Sequence, residues 1–155
     1  HGKNGELGLN NKLLWHIQED LKHFKNITND KHLFMGRNTY DSIIEYLKKP
    51  LPNRISLVLT NRELNGFVNE SKVNSFEEAL QKVYEDYAEE LIIIGGAKIY
   101  KDYFSKADTL YITEVDYEGE ADCYFKEDLS NFELKEEATF QGYKFKKYER
   151  IQWKV

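Results

Sequence analysis

The chain predicts an α/β fold: a single domain with a mostly parallel central sheet, helices on both faces and an antiparallel hairpin at the C-terminal end. Three observations carry this reading. Short apolar runs alternate with segments of helical periodicity up to about residue 105, strands dominate from there on, and two alternating runs flank Gly142.

Each element follows from its own pattern. Residues 1–14, HGKNGELGLNNKLL, hold three glycines and three asparagines and read as a long loop. Ile17, Leu21, Phe24 and Ile27 recur at helical spacing and predict an amphipathic helix over 17–28. HLFMG, residues 32–36, reads as a short buried strand. NTYDSIIEYL, 38–47, reads as a helix that stops before KKPLPNR, where both prolines sit. RISLVLTN, 54–61, is the next strand. Ser75 with Glu78 forms a capping box ahead of the helix FEEALQKVYEDY. ELIIIGG is a strand, AKIYKDYF a helix and DTLYITEVDY a longer alternating strand. FELKEEATF and FKKYERIQW then pair around Gly142.

Bulk properties narrow the function. No repeat or linker divides the 155 residues, so one domain over 1–155 is expected. The net charge is −5 with no basic block, which argues against a nucleic-acid partner. The apolar runs fall well short of the roughly 20 residues of a membrane span. Cys123 stands alone and reads as packed rather than nucleophilic, so a reducing, cytoplasmic setting is expected. The opening residues lack the pattern of a signal peptide.

In sheets of this kind ligands collect at the carboxyl ends of the strands. Three such ends stand out: MGRNT, LTNRE and IGGAK. Gly36-Arg37-Asn38-Thr39 opens a helix, so its backbone N–H groups would face an anion. Thr60-Asn61-Arg62 offers a hydroxyl, an amide and a guanidinium. Gly95-Gly96 leaves room for a close backbone approach. Any one of these is a common turn; three on neighbouring strands point to a nucleotide phosphate. Arg37 and Arg62 suggest an extra phosphate on it, against the plainer reading of both as solvated surface. The dinucleotide pattern G-x-G-x-x-G is absent from the chain.

Asp20 is the second signal. It borders the apolar stripe of its helix, three and four residues from Ile17 and Phe24. Spacing alone favours a helix-start carboxylate held by the macrodipole over a catalytic one. Burial there would raise its pKa, which suits a group that holds or shuttles a proton. Glu19 points elsewhere and reads as solvated. His16, His23 and His32 have no metal-ligand spacing, and no metal is expected.

GLNNKLLW-x4-DL-x2-F, FMGRNTYDSI, PLPNR, VLTNRE, IIIGGAKIY and LYITEVD stand in the order and spacing of dihydrofolate reductase, and the chain resembles that family over essentially its whole length. The resemblance implies NADPH-dependent reduction of 7,8-dihydrofolate, with hydride delivered to C6 and a proton to N5. It implies that Asp20 binds the 2-amino group and ring nitrogen of the pterin, with Thr113 in the same network and Trp15 beside an ordered water. Leu21, Phe24, Ile43 and Leu51 would form the apolar walls, and Arg54 would grip the α-carboxylate of the glutamate tail.

For the cofactor, Asn38 and Thr39 match the pyrophosphate positions. Arg37, Thr60, Asn61 and Arg62 match the region of the adenosine 2′-phosphate, and Leu59 also falls among the cofactor-binding positions. Ile94, Gly95, Gly96, Ala97, Lys98, Ile99 and Tyr100 match the segment whose diglycine carries a cis peptide beside the nicotinamide. Leu7, Gly8, Asn10, Asn11, Lys12 and Leu13 lie in the stretch that matches the family's mobile lid. A monomer and binding of antifolate inhibitors are further implications.

Two departures from the family pattern set further expectations. Leu14 stands where the family has proline, so the end of the lid should be looser. Family members also carry a short central strand ahead of the position matched by His1. A fragment of a longer chain is therefore expected, and a protein truly starting at His1 would fold poorly and turn over little. Two other readings stay open. One is a flavin-pathway pyrimidine reductase of the same fold, against which Asp20, Phe24 and Arg54 argue. The other is a non-catalytic nucleotide-binding fragment.

Overall fold

The computed structural model describes residues 1–10 and 12–151. Two compact units compose it: Gln18–Tyr100, continuous in sequence, and His1–Ile17 together with the chain from Lys101 onward.

The continuous unit is a four-stranded, wholly parallel sheet. Its strands are β3 (His32–Gly36), β4 (Ile55–Leu59), β5 (Glu70–Val73) and β6 (Leu91–Gly95), in the order β5-β4-β3-β6. Alternation sends Leu33 and Met35 to one face and Phe34 to the other. Leu33 and Met35 pack with Tyr40 and Val58, and Ile43, Ile44, Leu51, Leu64, Ile92 and Ile94 close around them. Tyr40, Ile43 and Ile44 come from α2 (Arg37–Leu47), so α2 covers that face. Phe34 meets Phe76 of α3 (Phe76–Glu85) edge-on, ring centroids 5.3 Å apart. Both faces are thus covered, which is why β3 and β4 are near-continuous apolar runs. Each fully buried side chain of this size contributes about 2 kcal/mol.

Helix boundaries have local causes. The Ser75 hydroxyl accepts from the Glu78 N–H at 3.0 Å, and the Glu78 carboxylate accepts from the Asn74 N–H at 2.8 Å. The return arm of the capping box therefore lands one residue earlier than the pattern implies. α2 ends at Lys48, whose φ of 66° turns the chain out of the helix ahead of the prolines.

In the other unit, β7 (Thr109–Val115), β10 (Tyr143–Arg150) and β9 (Phe132–Phe140) form an antiparallel sheet in the order β7-β10-β9. This includes the expected hairpin, with Gly142 in its turn at a φ of +88°. The His1 α-amino group donates to the Thr113 carbonyl, and the Val115 N–H donates to the His1 carbonyl, the pattern of a parallel bridge to Glu114.

Four short strands depart from the sequence reading. Residues 1–14 are not a plain loop: β1 (Glu6–Leu9) pairs antiparallel with β2 (Lys12–Leu13) and with β8 (Cys123–Tyr124). β5 also escaped the sequence reading, because ESKV holds one apolar residue and pairs at the sheet edge, where only Val73 is buried. Among the described residues no helix is long and apolar enough to cross a membrane.

Candidate active site

The parallel sheet brings the three singled-out strand ends side by side. Register places Gly36 opposite Leu59, and Met35 opposite Gly95, so β4, β3 and β6 finish at one edge. A bulge at the end of β6, between the Phe34–Ile93 and Met35–Gly95 pairs, sets Gly95 at a φ of +119°, a conformation closed to most side chains. The Gly95–Gly96 peptide is cis, as the resemblance implies. A Cβ on Gly36 would lie 3.0 Å from Ile99 Cγ1, so glycine there lets β3 converge closely with the helix after β6 (α4, Ala97–Tyr103). On Gly96 a Cβ would lie 3.8 Å from the Thr39 hydroxyl, which puts the diglycine next to the start of α2.

Several groups at this edge suit an anion. α2 begins at Gly36 without a side-chain cap or an acidic residue in its first turn, which leaves the amide end of its dipole to an outside acceptor. The Arg37 guanidinium lies 5.4 Å from the centroid of the Tyr40 ring and donates to the carbonyls of Arg62 and Glu63 at 3.4 and 3.1 Å. Arg37 is therefore built in, not a loosely solvated side chain. Beyond β4, a cleft of about 220 Å³ is lined by Leu59, Thr60, Asn61, Val73 and Asn74. Asn38 and Asn61 are exposed, and the Thr60 hydroxyl accepts from the Arg62 N–H at 3.2 Å.

Asp20 sits in the first turn of α1 (Gln18–Thr28), half-buried. It is close enough to Tyr100 to act on its ionisation. Burial foremost, then the Asp20 charge, push the Tyr100 phenol up to about 12. Tyr100 in turn packs its hydroxyl against Gly95, 3.3 Å from where a Cβ would be. A carboxylate, a phenol kept neutral and the diglycine thus form one connected group. Ala97 is half-buried and Lys98 exposed on α4.

Arg54 stands just before β4, with 8% of its surface exposed. Its Nε and Nη2 donate to the Thr28 hydroxyl at 3.2 and 3.1 Å, Nη2 to the Lys25 carbonyl at 2.8 Å and Nη1 to the Pro52 carbonyl at 2.7 Å. Among the described residues no carboxylate lies within ion-pair distance of it. A buried cation balanced only by neutral acceptors is a prepared seat for an anion. Of the expected apolar wall, Phe24 is half-buried on α1, Ile43 and Leu51 pack on the core, and Leu21 is 57% exposed.

Trp15, Thr113, Leu7, Gly8, Asn10, Lys12 and Leu13 belong to the other unit; Asn11 lies outside the described residues. The Trp15 ring stands 6.0 Å from that of Tyr117, and half-buried Thr113 lies on β7 opposite Phe145. Leu7 and Gly8 are in β1; Lys12 and Leu13 form β2. Asn10 turns between these strands at a φ of 53°, and its N–H donates to the Asp122 carboxylate at 3.0 Å.

Glu6, which sequence reasoning missed, organises this hairpin. It is 1% exposed, and its carboxylate accepts from the Asn4 N–H at 2.7 Å and the Gly119 N–H at 3.0 Å. Burial works to raise its pKa, but its own, Gly119 and Asn4 N–H groups and the His1 charge outweigh that and hold it below the usual carboxylate value. Stability from such a group is present above its unfolded value near 4.5 and lost as pH falls through the folded value. Glu6→Gln is therefore expected to lower the thermal midpoint at neutral pH, with the gap to the parent closing on acidification. Thermal melts across pH check this; a gap that stays constant down to pH values below 4.5 contradicts it.

The parallel sheet and the chemistry of its strand ends define an α/β protein suited to an anionic ligand at that edge, outside the Rossmann pattern. The sequence model of dihydrofolate reductase matches residues 1–153. A dihydrofolate reductase of Bacillus subtilis is 38% identical over 152 residues, covering 93% of this chain and 87% of the relative. Another, of Buchnera aphidicola, is 40% identical over 127 residues, covering 81% and 74%. The solved dihydrofolate reductase of Enterococcus faecalis, complexed with NADP(H) and RAB-propyl, superposes with a TM-score of 0.81 at 30% identity, covering 98% of this chain and 93% of that one. This chain belongs to the dihydrofolate reductase family.

Proposed function

We infer that the protein reduces 7,8-dihydrofolate to tetrahydrofolate with NADPH, by hydride transfer to C6 and protonation at N5. The observation that carries this reading is the meeting, at one sheet edge, of an uncapped helix start, the diglycine and a carboxylate–phenol pair, in a chain of this family.

The residues fit the cofactor. The first turn of α2, with Asn38 and Thr39, suits a pyrophosphate; Arg37, Arg62, Thr60 and Asn61 suit a ribose phosphate; the glycines leave the backbone open to a flat ring. When bound, NADPH supplies the hydride. Asp20 would accept hydrogen bonds from the pterin amino group and ring N–H, fixing its orientation and favouring the proton at N5. Tyr100, whose phenol burial and Asp20 push up to about 12, adds a neutral hydroxyl without a competing negative charge. Arg54 would take the α-carboxylate of the substrate tail, while Leu21, Phe24, Ile43 and Leu51 would hold its rings. Trp15 and Thr113 are assigned to the substrate by their places in the family motifs.

The opening hairpin is proposed as the lid, antifolates as competitors for the Asp20 seat, and a cytoplasmic monomer as the working form. Both units are proposed to belong to one reductase domain, since the family match spans them. Dihydrofolate-dependent NADPH oxidation by the purified full-length protein, followed by absorbance, tests the function. Turnover is expected. NADPH binding without turnover would favour the non-catalytic reading, and neither binding nor turnover in a folded protein would overturn the assignment.

A further inference from the structure

We propose that Asp41 is a built-in counter-charge that weakens the hold on the 2′-phosphate, and so sets how strongly the protein prefers NADPH over NADH. The inference rests on the assignment of Arg37 and Arg62 to that phosphate.

Asp41 lies one helical turn after Arg37 on α2 and joins both guanidinium groups. Its Oδ1 is 2.9 Å from Arg37 Nε, and its Oδ2 is 3.6 Å from Arg62 Nη2. Two cations thus share one carboxylate, leaving a net charge near +1 to meet a phosphate of about −1.5 to −2. Whatever anion approaches the two arginines also approaches Asp41.

The two arginines depend on Asp41 differently. Arg37 is 19% exposed and is placed without it, by the carbonyls of Arg62 and Glu63 and by the Tyr40 ring. Tyr40 is itself fixed, its hydroxyl donating to Glu70 at 2.6 Å. Arg62 is 63% exposed, and among the described residues Asp41 is its one ion-pair partner. Glu63, the other nearby carboxylate, is engaged by Lys72 at 2.8 Å. Removing the Asp41 charge therefore leaves Arg37 in place and releases Arg62. Asp41 itself is 49% exposed, so the substitution disturbs no core packing.

The test compares the parent, Asp41→Asn and Asp41→Glu with NADPH and with NADH, which lacks the 2′-phosphate, at low and raised salt. For Asp41→Asn the KM for NADPH is expected to fall by roughly 3- to 10-fold at low salt, shrinking as salt screens the charges. The effect should fall on KM rather than kcat, leave the KM for NADH in place and vanish in Asp41→Glu. An unchanged or higher KM for NADPH, in a protein that still prefers NADPH, overturns the role of Asp41 alone. An equal fall for both cofactors overturns it too, because the charge would then act on the nucleotide at large. A parent that does not distinguish NADPH from NADH instead overturns the phosphate assignment of Arg37 and Arg62.

Discussion

Asp20→Asn is expected to lower kcat for dihydrofolate reduction by on the order of a hundredfold to a thousandfold while leaving NADPH binding nearly intact. The asparagine is almost isosteric, so the first turn of α1 keeps its packing. It loses the negative charge and replaces one acceptor oxygen with an amide donor. A pterin held through its amino group and ring N–H then meets one acceptor instead of two, and nothing offsets positive charge arriving at N5. NADPH titration by fluorescence beside steady-state kinetics separates the two effects. A variant that keeps parental kcat removes Asp20 from the mechanism; one that loses NADPH binding as well shows a misfolded sheet edge. Because Asp20 also raises the Tyr100 phenol, its replacement should let that phenol ionise at lower pH, a change that ultraviolet titration reads directly.

The second large effect is expected at Arg54. Arg54→Leu should raise the KM for dihydrofolate by about a hundredfold with a much smaller change in kcat, the scale of truncating one side of a buried charge pair. The guanidinium is already dehydrated and oriented by Thr28, Lys25 and Pro52, so a carboxylate docking there orders little. The same contacts mean the variant also loses hydrogen bonds between the end of α1 and the loop before β4, at about 1–3 kcal/mol of stability. A pterin substrate lacking the glutamate tail separates the roles: its KM should hardly move. If both substrates suffer equally, Arg54 is a structural brace rather than a carboxylate receptor.

Much of this arrangement was legible in the chain because the signals are local. HLFMG, LIIIGG and the Ser75–Glu78 box each announce their element through burial, length or capping, and the strand ends carry their phosphate chemistry in adjacent residues. The register that makes those ends neighbours is not local, yet the alternation of strand and helix implied it through the rule of parallel crossovers. Glu6 was illegible for a definite reason. A charged residue at an inward strand position reads as solvent unless its donors are known, and one of them, the Gly119 N–H, belongs to a distant part of the chain. The shared Asp41 was hidden similarly: its spacing to Arg37 is an ordinary helical pair, and only the tertiary fold brings Arg62 to the same carboxylate. β5 escaped because its strand character comes from pairing with β4, not from its own side chains.

The opening hairpin is fastened by residues made long after it. Asn10 meets Asp122 and Glu6 meets Gly119 across 112 and 113 positions of sequence. Among the described residues, by contrast, all four strands of the parallel sheet lie within Gln18–Tyr100. On a ribosome the parallel sheet finds its partners as it emerges, while the residues ahead of it wait for nearly the whole chain. This hairpin, made ahead of the parallel sheet, is thus seated after it. The hairpin rests on contacts that the four-stranded sheet does not need, and that independence is what the proposed lid requires.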